Sequence, residues 1–162
     1  MVVGISHETA EFARMAIQSW WLEIGQARYP GCCHILLQAD SGGANACDSW
    51  LWKAALQTLA DRFGITITVN HFPAGASKWN PIEHRVFSEI SKNWAGEPLD
   101  SYQKILNFIR TTSTKTGLAV SAYLDRRHYP TGTEPTPEQL RRLKLEPHET
   151  LPRWNYTIRP NL

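Results

Sequence analysis

The sequence predicts an α/β fold with a short parallel sheet flanked by helices, and three observations carry that expectation. Ile35-Leu36-Leu37-Gln38-Ala39 is a short, nearly continuous apolar run, which suits a strand buried on both faces. Ile65-Thr66-Ile67-Thr68-Val69 is a β-branched run of the same length. Between them Trp52, Leu56, Leu59, Ala60 and Phe63 share one side of a helix. Strand, helix and strand in this span make a right-handed parallel unit.

The pattern begins with a helix in which Phe12, Met15, Ala16, Trp20 and Ile24 recur at helical spacing. Thr9 or Ser6 caps its start, and Gly25 and Pro30-Gly31 end it. Asp48 or Ser49 opens the helix between the two strands, and Gly64 closes it. A loop bearing proline and glycine, residues 73–77, leads into a third helix from Pro81 to about Asn93. Ser101 starts a fourth, with Tyr102, Ile105, Leu106 and Ile109 on one face. Residues 118–124 alternate weakly and read as a short strand. Residues 130–137 form a loop, Thr136 and Pro137 begin a small helix, and Trp154-Asn155-Tyr156-Thr157-Ile158 docks as an edge strand.

With 162 residues the chain has the length of one ordinary domain, and seven tryptophans supply large apolar area for a core. A formal charge of +2 does not by itself imply nucleic-acid binding. No apolar run reaches membrane-spanning length and the start has no signal-peptide pattern, so a soluble, cytoplasmic protein is expected. Cys32, Cys33 and Cys47 are odd in number and form no C-x-x-C pair, which argues for small buried side chains rather than disulfides or zinc. His7, His71 and His84 lack zinc-site spacing, and no nucleophile elbow or phosphate-loop pattern occurs.

Two carboxylates stand out. Asp40 lies just beyond the end of a parallel strand, where ligands of open α/β sheets gather. Gly42 and Gly43 leave the neighbouring backbone open to a phosphate or metal, although Asp40 also suits a turn before the glycines. Glu83 follows Asn80 and Pro81 at the spacing of a capping box, which explains it without chemistry. It also shares a helix face with Phe87 and Ile90, the position of a ligand at the rim of an apolar stripe. Lys78, His84, Arg85 and Lys92 gather nearby, and Lys115, Arg126, Arg127, Arg141, Arg142 and Lys144 follow further on. These basic residues read either as phosphate contacts or as solvated faces. Trp50 and Trp79 read either as base-stacking platforms or as core.

At these residues the chain resembles a known family. Leu36-Leu37-Gln38-Ala39-Asp40-Ser41-Gly42-Gly43-Ala44-Asn45, Leu51-Trp52-Lys53 and the block from Ser77-Lys78-Trp79-Asn80 through Ile82-Glu83-His84-Arg85 to Phe87 closely resemble the Rhodopirellula-type DDE transposases. The similarity extends through Thr9 to Ala13, Trp20-Trp21, Thr114 to Leu118 and Trp154 to Ile158, nearly the whole chain. It implies a partial RNase H-like fold and DNA strand cleavage and transfer with two divalent metals, Mg²⁺ or Mn²⁺. Asp40 corresponds to the second carboxylate of the family triad and Glu83 to the third, both as metal ligands. Lys78, Arg85, Lys115, Arg141 and Arg142 are the expected DNA contacts, and transposon terminal repeats and target DNA the expected partners, with a homo-oligomer possible.

The first Asp of the triad is expected upstream of Met1, as are the opening strands of the sheet. Glu8 and Glu11 are read as helical and do not match its position. The chain also departs from the pattern at Ala44, Ala46 and Cys47-Asp48. The expectation is therefore a truncated copy, inactive by itself, with residues 1–125 as partial catalytic domain and 126–162 as an extension packed on it. It would be cytoplasmic and nucleoid-associated when bound to DNA. The alternatives are a non-catalytic DNA-binding or assembly remnant and a metal-dependent nuclease with rearranged acids.

Overall fold

The computed structural model describes residues 1–73 and 75–161, with Ser77 represented by its backbone. Ala74, in the loop expected over 73–77, lies outside the described residues. The chain forms two compact units, Met1–Ser6 with Gly75–His128 and His7–Ala74 with Tyr129–Leu162.

The second unit contains the expected strand–helix–strand. Strand β2 (His34–Ala39) pairs in parallel with β3 (Thr66–His71), Ile35 opposite Ile67 and Ala39 opposite His71. The first strand of the chain, β1 (Val2–Gly4), belongs to the other unit. Helix α3 (Trp50–Phe63) joins β2 to β3, capped by the Ser49 hydroxyl, which accepts from the Trp52 N–H. Gly64 ends it with φ +64, a left-handed conformation that costs any residue with a Cβ about 1 kcal/mol or more.

The sheet is mixed rather than purely parallel. β6 (Asn155–Ile158) runs antiparallel to β3, and β5 (Leu145–Pro147) antiparallel to β6, giving the order β2-β3-β6-β5. The tail strand is thus interior, not an edge, because Tyr156 and Ile158 are fully buried against the core and a second neighbour covers its far side. Pro147 suits the edge position of β5, where the missing N–H breaks no ladder bond.

The expectation that β2 is buried on both faces is also corrected. Ile35 and Ala39 are buried, but His34, Leu36 and Gln38 on the other face are exposed, Leu36 by 57%. Across that face His34 Nε2, Thr68 Oγ1, Thr157 Oγ1 and His148 Nε2 form a polar ladder at 2.8–2.9 Å. The core lies on the opposite face, where Trp52, Leu56, Leu59, Ala60, Ile67, Val69, Tyr156 and Ile158 pack with Trp21 and Ala10.

Helix α1 (Ala10–Trp20) begins at Thr9, whose hydroxyl accepts from the Phe12 N–H, and packs on α3. It does not stop at Gly25 but runs through a π-helical turn, Trp21–Gly25, into α2 (Gln26–Arg28). Gly25 is inside because a Cβ there would collide with the Trp21 ring. Small helix α6 (Pro137–Arg141) carries a full capping box between Thr136 and Gln139. Cys47 is buried as expected, whereas Cys32 is half-buried and Cys33 exposed.

In the first unit the chain opens with β1 (Val2–Gly4), a strand where the sequence pattern starts with a helix. Three residues are too few to display an alternation. β1 pairs in parallel with β4 (Tyr123–Asp125), which takes up only the end of the strand expected over 118–124. A helix from Pro81 passes through a π turn, Glu83–Phe87, into α4 (Ser88–Asn93). It packs with α5 (Tyr102–Thr111), capped by Ser101, around Ile90, Leu106, Ile109 and Ala122. Asn93 ties these helices by donating to Phe108 O at 2.7 Å.

Candidate functional site

Asp40 follows the last residue of β2, at the edge where the parallel strands β2 and β3 end. Its carboxylate is exposed, and among the described residues nothing hydrogen-bonds to it. The turn bond that would account for Asp40 locally is therefore not made. The loop behind it is held instead by Ser41, whose hydroxyl donates to Phe72 O at 3.0 Å. That bond ties the segments leaving β2 and β3 together and sets the carboxylate on a fixed rim.

The backbone oxygen of Asp40 accepts from His71 Nδ1 at 3.1 Å, and His71 Nε2 lies 3.0 Å from the Tyr156 hydroxyl. A carbonyl only accepts, so Nδ1 carries the proton. In neutral His71, Nε2 is then the acceptor and Tyr156 the donor. Burial is the main force lowering the His71 pKa, and the Lys53 charge adds to it. The hydrogen bond to Asp40 and the Asp40 charge oppose them without reversing the shift. Burial likewise pushes the Tyr156 phenol up, so both groups are neutral near pH 7.

Glu83 opens the π turn in the helix that begins at Pro81. The Ser88 N–H donates to Glu83 O, five residues back, which widens the helix at this point. Asn80 does cap the start, its Oδ1 accepting from the Ile82 N–H at 3.4 Å. The other half of the capping box is absent: among the described residues no donor meets the half-buried Glu83 carboxylate. His84, the next residue, donates from Nε2 to Lys78 O at 2.7 Å and fastens the turn Ser77–Trp79 to the helix. Asp40 and Glu83 belong to different units.

The expected DNA contacts are all at the surface. Lys78 lies over the Trp79 ring at 5.2 Å, and Trp79 is 70% exposed. Arg85, Lys115 and Arg141 are exposed and make no ion pair among the described residues. Arg142 pairs with Asp61 at 3.1 Å. Lys78, Arg85 and Lys115 lie in the first unit, Arg141 and Arg142 in the second. Trp50 is also exposed rather than core.

Three features at the Asp40 rim emerge only from the fold, one of them a correction to the helical reading of Glu8. His71 and Tyr156 come from strands 85 residues apart, and only their pairing reveals them. Lys53 is buried on α3, with its ammonium 4.6 Å from the Trp50 ring centre and 5.4 Å from that of Tyr156. Its place in the Leu51-Trp52-Lys53 block was the one available signal. Glu8 lies ahead of α1 rather than on it, with its carboxyl beside Gly43. Among the described residues no three or more His, Cys, Asp or Glu side chains are grouped to hold a metal ion.

The sequence profile of one family, the Rhodopirellula transposase DDE domain, matches residues 1–160. The chain belongs to that family. No curated protein and no solved structure matches it. The transposase DDE domain is here an α/β fold with a mixed sheet, and no described helix is long and apolar enough to cross a membrane. Asp40, Glu83 and the block from Lys78 to Arg85 all fall within the matched residues.

Proposed function

We propose that this transposase domain acts on DNA, with Asp40 and Glu83 as metal-binding carboxylates of strand cleavage and transfer. The observation that carries the reading is the Asp40 carboxylate, exposed at the end of the parallel pair and free of any local bond that would explain it. Glu83 adds support, since its carboxylate is also unengaged among the described residues and sits on a π turn, a device frequent at functional sites.

Their oxygen donors fit a hard divalent cation, Mg²⁺ or Mn²⁺. When bound, such ions activate water or a 3′-hydroxyl and stabilise the leaving oxygen of a phosphodiester. The chain's own part is to hold the donors ready. Ser41 fixes the Asp40 loop, and neutral His71 anchors its backbone without competing for the carboxylate. Lys78, Arg85, Lys115, Arg141 and Arg142 contact phosphates of terminal repeats and target DNA, with more than one copy assembled on it. The fold is an RNase H-like one, with residues 1–125 catalytic and 126–162 an extension on the same domain. In the cell the protein is cytoplasmic and sits on the nucleoid when bound to DNA.

Mn²⁺ titration followed by nuclear magnetic resonance tests the assignment. Paramagnetic broadening should centre on Asp40 and Glu83 and be lost from Asp40 in Asp40→Asn. Any Mn²⁺-dependent nicking of terminal-repeat DNA by the chain should fall at least about 100-fold in that variant. Nicking that survives Asp40→Asn, or broadening that avoids both carboxylates, would overturn it. Arg85, Lys115 and Arg141, exposed and without an ion pair among the described residues, favour a second reading, a DNA-binding module without chemistry. Salt-dependent DNA binding with no nicking, unaffected by Asp40→Asn, selects that reading.

A further inference from the structure

Lys53 is 7% exposed, and among the described residues no oxygen or nitrogen accepts from its ammonium. Its surroundings offer little to a cation. Two aromatic rings, Trp50 and Tyr156, stand at 4.6 and 5.4 Å. The Asp48 charge favours the ammonium, but Asp48 is already paired with Arg153 at 3.0 Å, and the Arg153 charge works against it. The stem is buried while the ammonium still meets solvent, so a partly desolvated charge stands without an acceptor among the described residues. Cation–π contact offsets part of that desolvation.

The position of this unfulfilled cation is specific. Lys53 stands in the first turns of α3, a helix of 14 residues whose N-terminal N–H groups carry partial positive charge. Contacts link it to the Asp40 rim: the ammonium stands 5.4 Å from the Tyr156 ring centre, the Tyr156 hydroxyl meets His71 Nε2 at 3.0 Å, and His71 Nδ1 donates to the Asp40 carbonyl at 3.1 Å. Trp50, 55% exposed and directly beside the ammonium, keeps this corner in contact with solvent.

We propose that Lys53 is a phosphate-binding residue, receiving a non-bridging oxygen of a DNA phosphate beside the one handled at Asp40. The ammonium fits a single phosphate oxygen, and the Trp50 indole beside it offers the adjoining nucleotide an apolar face. This rests on the DNA reading above for the identity of the ligand, whereas the anion site itself follows from the lysine's surroundings.

Two measurements on the full chain separate these levels. Titration with inorganic phosphate should shift the Lys53 ammonium resonance, assigned by its disappearance in Lys53→Met. In DNA binding, Lys53→Met should weaken affinity about tenfold and make the slope of log K against log salt shallower by about 0.9 on duplex or 0.7 on single strands. Its melting temperature should be unchanged or higher, since a partly desolvated charge is removed, and this shows that the variant folds. DNA affinity and salt slope unchanged in Lys53→Met would overturn the proposal. If the wild-type chain binds no DNA, the DNA reading fails and the phosphate titration alone decides. A Lys53 shift then sustains the anion site, and its absence sinks it.

Discussion

Tyr156 is fully buried, yet its hydroxyl donates to a histidine that has no other donor for Nε2. Removing that hydroxyl leaves a buried acceptor unsatisfied, so Tyr156→Phe should cost about 1–3 kcal/mol, measured by urea unfolding. The His71 pKa should rise in the same variant if the loosened corner admits water, and ¹⁵N shifts of the ring would report it. In the intact protein burial lowers the His71 pKa below its ordinary value, so neutral His71 favours the fold above about pH 6.5, and this contribution fades on acidification. Asp40 and Glu83 stand out in the sequence because each has a local signature, a strand end before two glycines and a helix start after Asn-Pro. His71, Lys53 and Tyr156 do not, because what they do lies in contacts between α3, β3 and β6 that no short window contains.

Caps and breaks are the most readable level of this chain. Thr9, Ser49, Ser101 and Thr136 each cap the helix that follows them, since the bond is made within three residues. Gly64 shows the same economy. No atom lies within 4 Å of where its Cβ would stand, so Gly64→Ala tests backbone conformation alone. It should cost about 1 kcal/mol and lower the melting temperature by roughly 2–4 °C. Gly25 misled because the same residue type serves two purposes. At Gly64 it permits a positive φ, while at Gly25 it admits the ring of Trp21 four residues earlier inside a π turn. β5 was missed for a related reason: Leu145, Glu146 and Pro147 have no strand pattern, and only β6 beside them makes them one.

At the scale of the molecule, Asp61 is the point where α3 holds the late part of the chain. It accepts from Gln57 Nε2 and the Asn161 N–H, both at 2.7 Å, and pairs with Arg142 at 3.1 Å. Gln57, buried beside it, also donates to Arg159 O and accepts from the Lys144 N–H. Burial opposes the Asp61 charge, but these bonds and Arg142 together hold its pKa below the ordinary value. A depressed carboxylate stabilises the fold above the unfolded pKa, near 4, and that contribution is lost as pH falls through the folded value. Asp61→Asn should therefore be less stable by about 1–3 kcal/mol at pH 7. Thermal melts should show the gap closing below about pH 4, and a gap independent of pH would contradict the account.

The interior place of β6 also fixes an order of events during synthesis. β3 is complete once His71 has left the ribosome, but its second neighbour exists only after Ile158 has been added. At typical elongation rates that interval is roughly 5 to 20 seconds. Throughout it β3 presents an unpaired edge that any extended segment can occupy. Tyr156 arrives on the same strand, so the corner that joins Asp40, His71 and Lys53 is assembled only once β6 has followed β3 out of the ribosome.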